Sequence, residues 1–137
     1  MKIVLDSNVL LVAIGKRSKY RPIWDAFLAE KFQLILSEDI LHEYEEILLE
    51  HTNPKIASLV MEIFKESPDV IFKRVYYNWN DIIADVDDNK FFDVAVATNS
   101  EYLVTNDTHF DEAKNLQFPI VNIINAETFL EVIESLY

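Results

Sequence analysis

The chain has 137 residues, half of them hydrophobic, which allows one sizeable core and is too short for two ordinary domains; a single domain over residues 1–137 is expected. It contains no cysteine, which excludes disulfides and thiolate metal sites, and a reducing cytoplasm is the expected setting. A formal charge of −12, from 24 acidic and 12 basic side chains, argues against a broad electrostatic grip on nucleic acid, because phosphate affinity normally rests on Lys and Arg.

The opening run Ile3-Val4-Leu5 is too short for a signal-peptide core, and no later window approaches a membrane span. It reads as a strand, followed by a helix over residues 8–14. Lys16, Arg17, Lys19 and Arg21 then form a basic stretch that either steers a substrate or is a solvated turn. Further on, helical spacing covers residues 20–30, 38–50, 54–66, 88–99 and 126–136, the last placing Ala126, Phe129, Leu130, Ile133 and Leu136 on one stripe. Short apolar or β-branched runs at 33–36, 70–72, 102–105 and 120–124 read as strands between them. Only Gly15 and four prolines punctuate the chain, and no linker or repeat interrupts it. The alternation predicts an α/β fold of three layers, a central parallel sheet with helices on both faces.

In open α/β sheets the ligand crevice lies beyond the carboxyl ends of the strands, so acids just after strands are the first candidates for function. Asp6 directly follows the first strand, and Asp107 follows Tyr102-Leu103-Val104-Thr105 after one residue, ahead of a helical turn over residues 108–114. The two strands are candidates to be neighbours. Glu43 stands three residues after Ile40 and four before Ile47, so it borders the apolar stripe of Ile40, Leu41, Tyr44, Ile47 and Leu48, whereas Glu38, Glu45 and Glu46 point to solvent. Asp88 opens a helix in which Phe91, Phe92 and Ala95 share its face. Asp93 is about 140 degrees further around that helix and reaches a common cleft only from its edge, as a supporting residue.

Four gathered carboxylates repel one another, and a divalent cation resolves the conflict. All-oxygen ligands favour magnesium or manganese over zinc, and His42, His51 and His109 have no zinc spacing. Such a cation activates water and neutralises the leaving oxygen of a phosphodiester, and two of them roughly 4 Å apart do both jobs. Ser7 and Thr105, beside Asp6 and Asp107, are candidates to hydrogen-bond a ligand or phosphate; Asn8 is a candidate to contact substrate or fix a carboxylate. Taken singly, Asp6, Asp88 and Asp107 also suit plain helix N-caps, and Glu43 a solvated helix acid.

At these residues the sequence resembles the PIN-domain family, especially the VapC-like bacterial toxin components of toxin–antitoxin pairs, over nearly the whole chain. Ile3-Val4-Leu5-Asp6-Ser7-Asn8-Val9-Leu10 looks like the family's opening strand and first acid, and Ser37 to Leu48 like the helix that carries the second acid at Glu43. Asp85-Val86-Asp87-Asp88-Asn89-Lys90-Phe91 resembles the third block, with Val86 in place of the usual proline. Leu103-Val104-Thr105-Asn106-Asp107 resembles the fourth, with Asn106 where glycine is frequent. The resemblance implies a PIN fold, a magnesium- or manganese-dependent endoribonuclease acting on RNA, and Asp6, Glu43, Asp88 and Asp107 as the acidic quartet. It also implies an antitoxin partner and a homodimer.

Other readings stay open at this level. Carboxylates around a metal do not reveal the sugar of the substrate, so a DNA nuclease is possible. A receiver-like phosphoacceptor needs a lysine near its acids, and none directly follows the 102–105 strand. From a different class, the scaffold can serve protein contacts alone, as a non-catalytic binding module.

Overall fold

The computed structural model describes residues 1–74, 89–107 and 121–137. In chain order these form β1 (Lys2–Leu5), α1 (Ser7–Ile14), α2 (Arg21–Leu28), β2 (Gln33–Leu36), α3 (Glu38–His51), α4 (Pro54–Glu66) and β3 (Val70–Phe72). After them come α5 (Asn89–Thr98), β4 (Tyr102–Val104), β5 (Ile123–Ile124) and the last helix, α6 (Ala126–Glu134).

The strands make one five-stranded sheet in the order β3-β2-β1-β4-β5, every pairing parallel. A strand covered on both faces loses the alternation of apolar and polar residues. Accordingly Ile3, Val4 and Leu5 at the centre are all buried, as are Leu34, Ile35 and Leu36 next to them, while the edge strands β3 and β5 are less covered. The expected neighbours are paired: Ile3 lies opposite Tyr102, Val4 opposite Leu103 and Leu5 opposite Val104. From β1 the chain steps outward through β2 to β3, then returns past β1 to β4 and on to β5. Right-handed crossovers in opposite directions lie on opposite faces, which gives the three-layer α/β/α arrangement; α5 packs across β1, β2 and β4. The order reverses between β1 and β4, the position where open sheets of this kind place their ligands.

Local chemistry sets the helix ends. Ser37 caps α3 by accepting from the Ile40 amide at 3.2 Å, Asn53 caps α4 ahead of Pro54 at the first position, and Asn125 caps α6. With a single glycine in the chain, two helices turn off through left-handed residues of other types, Glu30 at φ 63° and Asn99 at φ 51°. In both, the next amide bonds back five residues, Lys31 to Ala26 and Ser100 to Ala95, as a Schellman cap requires. The last helix stops earlier than its spacing suggests: Leu136, expected on the buried stripe, is 38% exposed and lies beyond Glu134. Ala126, Phe129 and Ile133 do face the core, with Leu130 partly buried beside them.

An aromatic cluster ties the helices together. The Phe64 ring meets Trp24 and Phe27 edge-on at 5.9 Å and Tyr44 at 5.8 Å, and Tyr44 continues to Phe91 at 6.4 Å. Fully burying a ring of this size stabilises by about 1.5–3 kcal/mol, so the cluster fixes α2, α3, α4 and α5 against one another.

Candidate active site

Asp6 stands where β1 runs into α1, at the topological switch point. Its backbone begins the helix, the carbonyl accepting from Val9 and Leu10, and its amide continues the ladder to the Val104 carbonyl at 2.9 Å. Its side chain makes no capping bond. Instead the carboxylate, only 4% exposed, accepts from the Thr105 hydroxyl at 2.8 Å, so the ends of β1 and β4 are joined by a side-chain bridge as well as by the sheet. The same Thr105 oxygen accepts from the Asp107 amide at 3.0 Å and shapes the turn that presents Asp107.

Glu43 comes to this point on α3. Tyr44, the next residue, is buried and donates its hydroxyl to the Leu5 carbonyl, which pins the helix to the end of β1 one residue before Asp6. Burial pushes the Tyr44 phenol well above its ordinary pKa, and the charges of Asp6 and Glu43 add to the shift, so it stays a donor. One oxygen of Glu43 accepts from the Ser7 hydroxyl, and the other meets the Lys90 ammonium at 2.7 Å. On the same helix Glu38, Glu45 and Glu46 are exposed, and His42 pairs with Glu46 on the outer face.

Electrostatics links the acids. Burial raises the Asp6 pKa above its ordinary 3.8; the Thr105 hydroxyl and the Ser7 amide oppose that shift, and the charges of Glu43 and Asp107 reinforce it. Asp6, Glu43, Asp107, Ser7 and Thr105 thus lie together around the carboxyl ends of β1 and β4. Asn8 is exposed on α1, and Asp93 is buried in α5. Asp88 and the rest of the third sequence block before Asn89 lie outside the described residues, as does His109. Among the described residues, no three Asp, Glu or His side chains are close enough to hold a metal by themselves. The donors Asp6, Glu43 and Asp107 are all carboxylates, a set whose chemistry suits magnesium or manganese.

Sequence reasoning passed over Lys90. Its signal was modest, a lysine in the first turn of a helix otherwise apolar on its buried side, and only tertiary packing brings it to Glu43. Half of the basic stretch is engaged elsewhere: Lys19 pairs with Glu127 at 2.7 Å, and Arg21 bonds Asp25 and the Ile14 carbonyl. Asn106 has a negative φ, so glycine is not required there, and its side chain accepts from the Ala126 amide at 3.0 Å, tying the β4 loop to α6.

Comparison with solved structures finds the same architecture. A chain of VapBC2 from Rickettsia felis, bound to a promoter DNA fragment, superposes with a TM-score of 0.58 at 18% identity, covering 91% of this chain and 98% of that one. VapC20 from Mycobacterium tuberculosis, a sarcin–ricin loop cleaving toxin, gives 0.62 at 13% identity over 84% and 97%. FitAcB from Neisseria gonorrhoeae gives 0.58 at 17% identity over 91% and 98%. No curated protein matches in sequence. A family model for the PIN domain does match, over residues 2–109, a span that includes Asp6, Glu43, Asp88 and Asp107. Sheet order, the acids at the switch point and this match agree, and the chain belongs to the PIN-domain family.

Proposed function

We propose that the protein is a magnesium- or manganese-dependent endoribonuclease, the toxin of a toxin–antitoxin pair, acting in the cytoplasm as a homodimer that an antitoxin protein binds. The observation that carries this reading is the placement of Asp6: buried at the switch point, its carboxylate turned to Thr105 across the sheet with no side-chain capping bond, and within electrostatic range of Glu43 and Asp107. A helix cap explains the residue type but not that environment, whereas a cation site explains both. PIN domains are a nuclease family, and the sarcin–ricin loop cleaving toxin among the structural relatives supports RNA as the substrate. The two-component names VapBC2 and FitAcB support a protein partner. No helix among the described residues is long and apolar enough to cross a membrane.

In this reading Asp6, Glu43 and Asp107, with Asp88, hold the ion. When bound, it lowers the pKa of a water and offsets charge on the phosphate. Thr105 and Ser7 keep two of the carboxylates oriented through their hydroxyl bonds, and Tyr44 fixes α3 at the distance this requires. The test is cleavage of a labelled RNA with EDTA, then with excess manganese, in the wild type and Asp6→Asn. Cleavage that EDTA stops and manganese restores, in the wild type alone, is expected. A second reading, the non-catalytic binding module, draws on Lys90, which already supplies Glu43 with a counterion. It prevails if no RNA is cut at saturating manganese.

A further inference from the structure

We infer that Lys90 is a resident counterion of the acidic site, one that a divalent cation must displace from Glu43, and that it thereby sets the metal affinity of the site. This rests on the metal-nuclease reading above. The Lys90 ammonium stands 2.7 Å from Oε1 of Glu43, and the Ser7 hydroxyl takes Oε2, so both oxygens of this carboxylate are engaged. Among the described ion pairs it alone has both side chains mostly covered, 22% and 21% exposed; those of Lys19, Arg21, His42 and His51 each have at least one partner more than half exposed.

Packing holds the pair in register. Its members come from two different helices, and the residues that follow them in sequence, Tyr44 and Phe91, are in ring contact at 6.4 Å. Tyr44 is in turn bonded to the Leu5 carbonyl. The ammonium is therefore brought to Glu43 by the core beneath it, not by the reach of a flexible surface chain. A carboxylate oxygen in a tight pair with an ammonium is a poorer ligand for a dication, since the two cations compete for the same lone pairs and repel each other. The ammonium carries one charge where a divalent ion carries two, so the dication is the stronger attractor for the carboxylates. Lys90 acts here through Glu43 and is a positioning residue.

Calorimetric titration with manganese alone tests this on the full chain. Lys90→Met should bind manganese roughly five- to tenfold more tightly than the wild type, the worth of a half-shielded ion pair. Lys90→Arg, which keeps the charge, should stay within about twofold, as should Lys55→Met, an exposed lysine on α4 that controls for net charge. A second measurement needs no variant: with an amine-reactive acylating reagent and mass spectrometry, Lys90 should be modified several-fold faster once manganese saturates the wild type, and Lys55 at an unchanged rate. If the wild type binds no manganese, the metal reading and this inference fall together. If it binds manganese but Lys90→Met gains nothing, Lys55→Met gains as much, or Lys90 acylation does not respond, the inference alone is overturned.

Discussion

Replacing Thr105 by valine keeps the shape of a buried side chain and deletes one hydroxyl, the one that donates to Asp6 at 2.8 Å and accepts from the Asp107 amide at 3.0 Å. A hydrogen bond to a charged group is worth about 1.5–3 kcal/mol and one between neutral groups about 0.5–1.5 kcal/mol. Asp6 is nearly inaccessible, so water cannot replace the lost donor, whereas the Asp107 amide is partly covered and can be partly rehydrated. A loss of about 2 kcal/mol follows for the metal-free protein at neutral pH, which lowers Tm by roughly 6–8 °C for a domain of this size. The pH dependence is sharper still. Burial holds the folded Asp6 pKa above 3.8, so this group's contribution to stability is fully present below pH 3.8 and is lost as pH rises through the folded pKa. The Thr105 bond opposes that shift; without it the folded pKa climbs further, and the loss, which starts at the same unfolded pKa, extends to a higher pH. The deficit of Thr105→Val should therefore shrink by about 1 kcal/mol on acidification, as the bond lost becomes one to a neutral carboxyl. Urea unfolding in EDTA, followed by circular dichroism across this pH range, measures it, with Thr105→Ser expected to behave like the wild type and Asp6→Asn to lack the acid-side gain. A deficit independent of pH, or Thr105→Ser as unstable as Thr105→Val, would refute the assigned link between the hydroxyl and the Asp6 charge.

Glu43→Gln and Glu46→Gln each remove one negative charge from α3, but only the first sits at the site, so manganese binding and RNA cleavage should fall together in Glu43→Gln and hold in Glu46→Gln. Equal behaviour across a manganese titration takes Glu43 out of the site. Glu30 occupies a left-handed position at φ 63°, and Glu30→Gly should raise stability by up to about 1 kcal/mol in thermal unfolding without altering cleavage; a drop in Tm argues against strain there.

The sequence announced its architecture through two periods. Unbroken apolar triplets at Ile3-Val4-Leu5 and Leu34-Ile35-Leu36 belong to strands covered on both sides, and the spacing at Ile40, Tyr44 and Leu48 belongs to a one-faced helix. Local period determines these elements because burial acts on each residue through its own position in the repeat. The helix over residues 54–66 was legible to the residue, since Asn53-Pro54 opens it and Pro68 follows its end. The end of α6 was not, because Leu136 continues the spacing beyond Glu134, where the helix stops and the side chain is exposed.

At the site, position relative to strands singled out Asp6 and Asp107, and position on a helix face singled out Glu43, from sequence by itself. What it left undecided was whether Asp6 caps a helix or serves a cleft, since asparagine-like caps and metal ligands ask for the same residue type in the same place. Only tertiary structure decided the direction of that carboxylate, because its partner, Thr105, lies 99 residues away and reaches it through the parallel pairing of β1 with β4. The same holds for Lys90: its place in the first turn of an apolar helix marks it only weakly, and it meets Glu43 where Phe91 and Tyr44 pack side by side. Local periodicity fixes which face a residue shows, while contacts between distant segments depend on the crossover order of the sheet, which no short window of sequence contains.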